Sequence, residues 1–518
     1  MDGRPVPAPA STGLPRFARG FIVSVAAFEP PVQAWVSQEI AGLWISRALE
    51  VPLTMARSGG RFVVVIGHFV DTETWLSTEA AVSLAAEALA RSEGELLDTT
   101  DAWSGRYVVI FGVETDRHVM TDATGMRSVF YALDGSFILA SHCRLVATLT
   151  GAGSPILNAR RTAVRAIVPP RRRRLVVSLP GRSTPWPGVV YLTANMVLDI
   201  ETRRLRRVFP RRPLGVLTTT AASALIAPRL RGQVDALVDS GRPVAISVTG
   251  GVDSRVTVAA SRDVRDAVRY FTYRVRDVPG NDEDVAAASS IADAMRLPHG
   301  VVEVPPSIQP PELDAVMREA TFLSHGRRIV AAYRAAFSPD TIHIRSNIGE
   351  VGRCYYRRSR AGAVMPTSPT DISASDLARL WAHGEASEPL VESFAEWMTA
   401  TSFRGVQDID ALDLFYWEHR MSCWHSNVVL ESDFAFDTHS LFNSRWVLER
   451  TLSVSIEDRC RGSVFRHLVA EMWPELAALP MGGGQDPRDR VRRKRTWLSV
   501  LVSLRRRMGP ARRTDGRR

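Results

Sequence analysis

Residues 243–255 have the sequence Pro-Val-Ala-Ile-Ser-Val-Thr-Gly-Gly-Val-Asp-Ser-Arg, and this stretch decides the fold. The apolar run 244–248 favours a buried strand, and residues 256–261 can open a helix. Residues 249–254 are therefore predicted to form a strand-to-helix turn. The two glycines let the backbone approach an anion closely, and hydroxyl groups and free N–H groups at the helix N-terminus can bind that anion.

Asp253 is the residue in this turn that indicates a metal ion. A carboxylate would repel phosphate unless a cation lay between them, so Asp253 is predicted to bind Mg²⁺ and, through it, phosphate oxygens. Taken alone, two glycines and an aspartate are equally typical of a simple tight turn. The neighbouring segments decide between these two interpretations.

The segments after the turn follow a recognisable order. Residues 268–274 predict a strand, Asn-Asp-Glu-Asp follows at 281–284, and a helix at 285–295 leads to Arg-Leu-Pro-His and a strand at 301–304. This order resembles the class B, glutamine-hydrolysing asparagine synthetase family, whose SGGxDS loop is matched here with Thr249 in place of the first serine. The resemblance implies ATP and Mg²⁺ as cofactors. It implies that the nucleotide is bound by Ser247, Thr249, Gly250, Gly251, Val252, Asp253 and Ser254.

A second segment of the resemblance is Ser-Asn-Ile-Gly-Glu-Val-Gly-Arg-Cys-Tyr-Tyr at 346–356. It falls where the family carries SG(D/E)G(A/S)DELFGGY, which implies that Glu350 joins Asp253 as a Mg²⁺ ligand. Asn347 falls where amidating members have an acid and β-lactam-forming members a tyrosine. Because an amide is not a base at this point, either another residue accepts the amine proton, or the amine arrives neutral, or the chemistry differs.

Two catalytic residues are implied further along the chain. Residues 430–437 resemble the family's LExRxPFLD segment, so Glu431 and Asp437 are expected to line or brace the synthetase cleft, with a helix cap and a salt bridge at a domain seam as the alternative. Lys494 is the only lysine in the chain and lies late, where the family has a lysine that stabilises negative charge on the adenylated intermediate. Its surroundings depart from the family's RxKxGF pattern, so a simple exchange for arginine stays open.

The N-terminal region resembles the family's glutaminase domain in three segments, 105–111, 119–131 and 137–142. In that domain the nucleophile is a cysteine at the mature N-terminus, whose α-amine acts as its base. Residue 2 here is Asp2, and no cysteine precedes Cys143. We therefore predict that the chain does not hydrolyse glutamine. β-Lactam synthetases and lasso-peptide macrocyclases share this loss and use an amine carried by the substrate.

The predicted fold class combines α+β and α/β parts. A degenerate N-terminal-nucleophile-hydrolase-like α+β sandwich precedes an adenine-nucleotide α-hydrolase-like synthetase domain (a PP-loop ATPase) with a helical extension. The predicted units are a glutaminase-like domain at 1–153, an Arg/Pro-rich connector at 154–217, an ATP pyrophosphatase domain at 218–485 and a basic tail at 486–518.

Composition excludes several other classes. The 518 residues are 45% hydrophobic and 23% charged, as in soluble globular proteins, and no apolar run approaches the roughly 20 residues that span a bilayer. The four cysteines form no CxxC pair, so neither a disulfide framework nor a zinc site is expected. We expect a cytoplasmic protein. The net charge is +10 and comes from arginine-rich stretches. Aromatic residues do not alternate with the basic ones there, so no specific nucleic-acid partner is expected.

Together these features predict an ATP-dependent amide-bond synthetase, an AMP-forming carbon–nitrogen ligase. It would adenylate a substrate carboxylate, release pyrophosphate, and let an amine attack the acyl-adenylate. A precursor peptide carrying both groups, as in peptide or natural-product macrocyclisation, fits a chain without glutaminase chemistry, and partner proteins of a biosynthetic pathway are compatible with it. The alternatives are an asparagine synthetase using ammonia or glutamine, and a catalytically inactive binding subunit.

Overall fold

The computed structural model describes residues 13–153, 178–276, 280–322, 326–359 and 361–480. Within them, two antiparallel sheets form the N-terminal half and one parallel sheet forms the centre of the C-terminal half, giving a mixed α/β architecture. Lys494 and the predicted basic tail lie outside the described residues.

Two six-stranded antiparallel sheets build the N-terminal half. Their strands are β1 Phe21–Ser24, β2 Val36–Ile40, β3 Leu43–Arg47, β4 Leu53–Ser58, β5 Arg61–Asp71, β6 Trp103–Val113, β7 Asp116–Thr121, β8 Phe130–Ala132, β9 Ile138–Ala140, β10 Val189–Tyr191, β11 Met196–Asp199 and β12 Leu205–Arg207. The first sheet has the order β10-β8-β9-β1-β3-β2, and the second has the order β12-β11-β7-β6-β5-β4.

The side chains of β1 show how the layers stack. Phe21 and Val23 pack between the two sheets, whereas Ile22 points to the other face and packs with residues of the C-terminal half. Successive side chains of a strand alternate between faces, so both faces of this strand are buried. Helices α1 Thr78–Arg91 and α2 Glu93–Asp101 cover the outer face of the second sheet, and α3 Cys143–Thr150 covers the first.

Strands β10 to β12 correct the predicted connector. Strand β10 pairs with β8 in the first sheet, and β11 pairs with β7 in the second. Residues 189–207 therefore belong to the N-terminal sandwich, and the prediction of a connector over 154–217 is wrong for this part. Strands of three or four residues show too few alternations in sequence to reveal a half-buried strand.

One five-stranded parallel sheet organises the C-terminal half. Its strands are β13 Val244–Ser247, β14 Val268–Arg274, β15 His299–Glu303, β16 Ile342–Ile344 and β17 Asp437–His439. The order is β15-β14-β13-β16-β17, so the chain lays down three strands in one direction and then returns to place β16 on the other side of β13. At such a reversal, the loops at the carboxyl ends of the two central strands leave a crevice where ligands bind.

Helices cover both faces of this sheet and form the region after residue 373, which is predominantly helical as predicted. They are α4 Thr219–Asp239, α5 Val252–Ala260, α6 Asn281–Met295, α7 Pro311–Ala320, α8 Arg327–Ala336, α9 Ala374–Ala382, α10 Glu388–Ala400, α11 Ala411–Phe415, α12 Ser426–Ser432, α13 Arg445–Leu452, α14 Ile456–Cys460, α15 Ser463–Met472 and α16 Pro474–Ala477. A π-helix, Tyr416–His425, joins α11 to α12. No helix among the described ranges is long and apolar enough to cross a membrane.

The two halves are joined by buried polar contacts as well as by apolar packing. The Arg106 guanidinium donates to both carboxylate oxygens of Asp433, with Nη2 2.6 Å from Oδ2, and both side chains are fully buried. The Trp417 indole N–H donates to the Ala123 carbonyl oxygen at 2.7 Å. A buried charge is tolerated only when it is paired, so these contacts fix the sandwich against the C-terminal half.

Candidate active site

The turn after β13 is fixed by its own hydroxyl groups. The Thr249 Oγ1 atom accepts the N–H of Gly251 at 3.3 Å and lies 3.1 Å from Ser254 Oγ. The Ser254 hydroxyl lies within hydrogen-bonding distance of the carbonyl oxygens of Thr249 and Gly251. Helix α5 begins at Val252, and its N-cap, Gly251, brings no side chain to cap the free N–H groups. The predicted strand-to-helix turn is confirmed, and its helix N-terminus suits an anion.

The two predicted metal ligands are brought together by an arginine. Asp253 lies in the first turn of α5, and Glu350 lies in the 3-10 helix Asn347–Arg353 that follows β16. The Arg353 Nη1 atom donates to Asp253 Oδ2 and, at 2.6 Å, to Glu350 Oε1. The Arg358 Nη2 atom donates to Glu350 Oε2 at 2.5 Å. We call these four residues, Asp253, Glu350, Arg353 and Arg358, the crevice cluster.

The Asp253 carboxyl is the unbalanced member of the crevice cluster. Burial and nearby Glu350 raise its pKa to about 7, against the opposing effect of Arg353 and Arg358. Its Oδ1 atom is buried and has no hydrogen-bond partner in the described structure. A buried polar atom without a partner is costly, which makes Oδ1 a natural contact for a ligand.

The carboxylate oxygens of the crevice cluster are of the type that binds a divalent cation. Mg²⁺ prefers oxygen ligands and is commonly held by one or two carboxylates together with phosphate oxygens and water. Asp253 Oδ1 is open to such an ion, whereas Oδ2 and the Glu350 oxygens are engaged with arginines. A cation shared by both carboxylates would therefore require Arg353 to move.

Hydrogen bonds connect the chain segments around β13 and β16. The Thr257 hydroxyl of α5 lies 2.8 Å from the hydroxyl of Ser346. Ser247, at the end of β13, has its Oγ 3.0 Å from His343 Nε2, and burial lowers the pKa of His343 well below its usual range. The Asn347 side-chain oxygen accepts the Arg345 Nε–H at 2.7 Å, so its amide orients an arginine.

Glu431 lies near the end of α12 and contacts the start of another helix, α8. Its side chain is buried, and its Oε2 atom accepts the N–H of Gly326 at 2.8 Å. Gly326 is the N-cap of helix α8, and a carboxylate is favourable at a helix N-terminus. This contact corresponds to the helix-cap alternative, and a catalytic role for Glu431 stays a prediction.

Asp437 lies at the opposite edge of the sheet from the crevice. It is the first residue of β17 and pairs in register with Ile342, the first residue of β16. Its carboxylate lies 3.0 Å from His68 Nδ1 and 3.8 Å from Arg106 Nη1, both in the N-terminal half. Burial alone would raise the pKa of Asp437, but His68 and nearby arginines hold it well below its usual range. The salt bridge at the domain seam is the alternative that the structure favours.

A cavity opens at the carboxyl ends of β14 and β15. Its volume is about 600 Å³, and Val275 and Val304, which follow β14 and β15, line it. Gly326, the partner of Glu431, also lines it, together with three arginines and one aspartate. Its excess of positive charge suits a substrate that bears a carboxylate.

Arg353 and Arg358 are the residues that the sequence analysis did not identify. Arg353 follows Glu350 by three residues, a spacing that places two side chains on one face of a helical turn, and that signal could have found it. Arg358 carries no such signal, because its contact with Glu350 depends on the path of the chain after Cys354. Lys494 lies outside the described residues, so the structure does not place it.

Comparisons with known proteins add little to this site. No protein-family model matches the chain, and no curated protein is similar to it in sequence. Among solved structures, a glutamine phosphoribosylpyrophosphate amidotransferase from B. subtilis, complexed with ADP and GMP, is 11% identical and matches 65% of this chain and 72% of its own, with a TM-score of 0.22.

Two further solved structures are similarly distant. An NAD⁺ synthetase from Burkholderia pseudomallei is 16% identical over 39% of this chain and 93% of its own, with a TM-score of 0.17. A structure described as the allosteric regulatory enzyme of purine biosynthesis is 10% identical over 72% of this chain and 74% of its own, with a TM-score of 0.22. At such TM-scores these matches carry no argument about activity, which has to be drawn from the site itself.

Proposed function

We propose that this chain is an ATP-dependent amide-bond synthetase that adenylates a substrate carboxylate and releases pyrophosphate. The observation that carries the proposal is the position of the crevice cluster. Asp253 and Glu350 follow β13 and β16, the two strands that flank the reversal of strand order. An uncapped helix N-terminus at this point suits the phosphates of a nucleoside triphosphate. Two carboxylates that share one arginine suit its cation.

The chain's own residues divide the work of binding ATP. The N–H groups at the start of α5 would hold the pyrophosphate portion, with Thr249 and Ser254 fixing the turn. Asp253 and Glu350 would hold Mg²⁺, which when bound offsets negative charge on the phosphates. Arg353 and Arg358 would then be free to contact phosphate oxygens, for which a guanidinium is well suited.

The second half-reaction requires an amine that has lost its proton. A primary ammonium has a pKa above neutrality, so attack at pH 7 needs a base or a site that favours the neutral amine. Asn347 is not such a base, and Glu431, beside the cavity at Gly326, is the proposed one. A precursor peptide or another natural-product intermediate that carries both carboxylate and amine is the proposed substrate class.

Two other functions are less well supported. An asparagine synthetase using ammonia or glutamine would need the acid that Asn347 replaces and, for glutamine, a nucleophilic cysteine that is not found ahead of Cys143. A catalytically inactive binding subunit is favoured by one observation: Arg353 neutralises the carboxylates that would hold Mg²⁺. The raised pKa of buried Asp253 speaks against it, because strongly perturbed groups in a cleft are typical of functional sites.

ATP–pyrophosphate exchange by the full chain, with a panel of amino acids and peptides as carboxylate donors, tests the proposal. We expect exchange with at least one donor, abolished by Asp253→Asn because that change removes a charge and adds no bulk. Asp266→Asn is the matched control, since its side chain is 90% exposed and lies outside the crevice. Equal exchange in both variants would overturn the nucleotide-site assignment.

The base is tested separately from adenylation. Glu431→Gln is expected to retain pyrophosphate exchange and to slow amide formation by about 10²-fold or more, the scale of general-base contributions. A parallel fall of both half-reactions would identify Glu431 as a structural residue that caps α8. Unchanged amide formation would place the base elsewhere.

A separate prediction concerns glutaminase activity in the N-terminal half. Glutamine should yield no glutamate with the purified chain at any pH, because no cysteine precedes Cys143, and Cys143 is buried. Glutamate release that is lost when cysteines are alkylated would contradict this.

A further inference from the structure

Two cysteines lie close together behind the crevice cluster. Cys354 directly follows Arg353, is fully buried, and has a φ of 53°. Cys460 ends helix α14 and is partly exposed. The remaining two cysteines, Cys143 and Cys423, are both buried elsewhere in the chain.

The contacts of the Cys354 sulfur place it against the helix that carries Cys460. Cys354 Sγ donates to the carbonyl oxygen of Ile456 at 3.7 Å and accepts from Arg459 Nη1 at 3.5 Å. In an α-helix the carbonyl of one residue faces the N–H four residues later, so the carbonyl of Ile456 lies at the turn that contains Cys460. The two thiols share a side-chain hydrogen bond.

The two thiols are electrostatically unequal. The hydrogen bond from Cys354 lowers the pKa of Cys460 to about 7, with help from Arg459 and against burial, Asp413 and Asp410. The same hydrogen bond, together with burial and Asp413, raises the pKa of Cys354. A partly exposed thiol with a low pKa is a reactive nucleophile, and a buried thiol beside it can resolve the mixed disulfide that forms.

We propose that Cys460 and Cys354 form a thiol modification site that closes to an intramolecular disulfide when it meets a low-molecular-weight disulfide. The Cys460 thiolate attacks one sulfur of the small disulfide, which forms a mixed disulfide and releases one small thiolate. Cys354 then loses its proton and attacks the Cys460 sulfur, which releases the second small thiolate. The protein loses two hydrogen atoms in total, and the small disulfide is reduced to two thiols. The proposal does not depend on the proposed function.

The test uses the full chain with oxidised glutathione at pH 7, followed by intact mass and non-reducing peptide mapping. We expect a species lighter by two hydrogen atoms, with Cys354 joined to Cys460, which a thiol reductant reverses. The control variant, Cys143→Ser with Cys423→Ser, should form the same link because it retains both proposed partners. Cys460→Ser should consume small disulfide at least roughly 10-fold more slowly, because the remaining thiol of the pair, Cys354, is buried and holds far less thiolate at pH 7.

Alkylation keeps the proposal testable if a serine variant fails to fold. In the native wild-type chain, iodoacetamide should label Cys460 first, with a rate that rises through about pH 7. A stable mixed disulfide at Cys460 without closure, a link to Cys143 or Cys423, or labelling of Cys460 no faster than that of the buried cysteines would each overturn the proposed pair.

Discussion

At the seam between the two halves, Arg106 binds Asp433 and lies 3.8 Å from Asp437, whereas in the crevice Arg353 binds Asp253 and Glu350. Both clusters use one arginine between two carboxylates. We call the former, made of His68, Arg106, Asp433 and Asp437, the seam cluster.

The two clusters shift the pKa of a buried carboxyl group in opposite directions. The pKa of Asp437 is held well below its usual range, because His68 and several arginines outweigh burial. The pKa of Asp253 rises to about 7, because burial and Glu350 outweigh Arg353 and Arg358. Strongly perturbed groups in a cleft are typical of functional sites. The same residue types therefore stabilise the seam but leave the crevice ready for an additional cation or a proton.

The largest expected effect is on the seam cluster. Arg106→Leu should lower the free energy of unfolding by about 3–5 kcal/mol, because it leaves buried Asp433 without its partner. Urea unfolding followed by circular dichroism measures this loss. Arg91→Ala, which breaks a surface pair with Glu95, is the control and should change stability by about 1 kcal/mol or less. Equal losses of unfolding free energy would mean that the buried pair at the seam stabilises the fold no more than a surface salt bridge does.

The pH dependence of stability should have opposite signs in the two clusters. Asp253 has a pKa of about 7 when folded against 3.8 as its ordinary value, so its contribution is complete below about pH 4 and is lost as the pH rises to about 7. Asp437, with a depressed pKa, contributes above about pH 4 and loses this as the pH falls. The amplitude for Asp253 should be at most about 5 kcal/mol, at 1.4 kcal/mol per pKa unit.

Unfolding free energies of Asp253→Asn and Asp437→Asn, each subtracted from wild type between pH 3 and 8, measure these contributions. The wild-type advantage should shrink towards pH 7 in the first comparison and towards pH 3 in the second. Parallel curves would mean that the two carboxyls titrate alike and that the contrast between the clusters is wrong.

A smaller effect is expected when the crevice loses its bridging arginine. Arg353→Leu should cost about 1–3 kcal/mol, the scale for losing hydrogen bonds to a charged group. The loss should be greater at pH 8 than at pH 6, because the Asp253 carboxyl can take up a proton at the lower pH when Arg353 no longer opposes that. Urea unfolding at both pH values provides the test, and a loss independent of pH would show that Asp253 stays ionised.

The smallest effect is expected in the turn itself. Thr249→Val removes the hydroxyl that meets Gly251 N and Ser254 Oγ, and it should cost about 1 kcal/mol, as for neutral hydrogen bonds. Thr249→Ser keeps the hydroxyl and should stay close to wild type. Thermal unfolding of both variants distinguishes the contribution of the hydroxyl to stability from that of the methyl group. A larger loss of stability in the serine variant would show that Thr249 acts through packing of its methyl group.

The sequence predicted the features of this site that depend on local pattern. The turn at 249–254 and strand β14 occur where expected, and helix α6 begins at Asn281, four residues before its predicted start. Asp253 and Glu350 both contact Arg353, and their role as Mg²⁺ ligands stays a prediction. The position of Asp437 at the opposite edge and the bridging role of Arg353 were not predicted, because both depend on how distant strands are ordered and not on any spacing in the chain.

The shared packing of the two halves has a consequence for how this chain can change during evolution. Ile22 and Phe130 of the first sheet lie in one apolar core with Met317 and Tyr333 of helices α7 and α8. Truncating any of these side chains would open a cavity at the boundary of both halves. Substitutions in the sandwich are therefore constrained by the folding of the C-terminal half, even at positions far from the crevice. A shortened chain that begins near residue 218 should expose this apolar surface and aggregate.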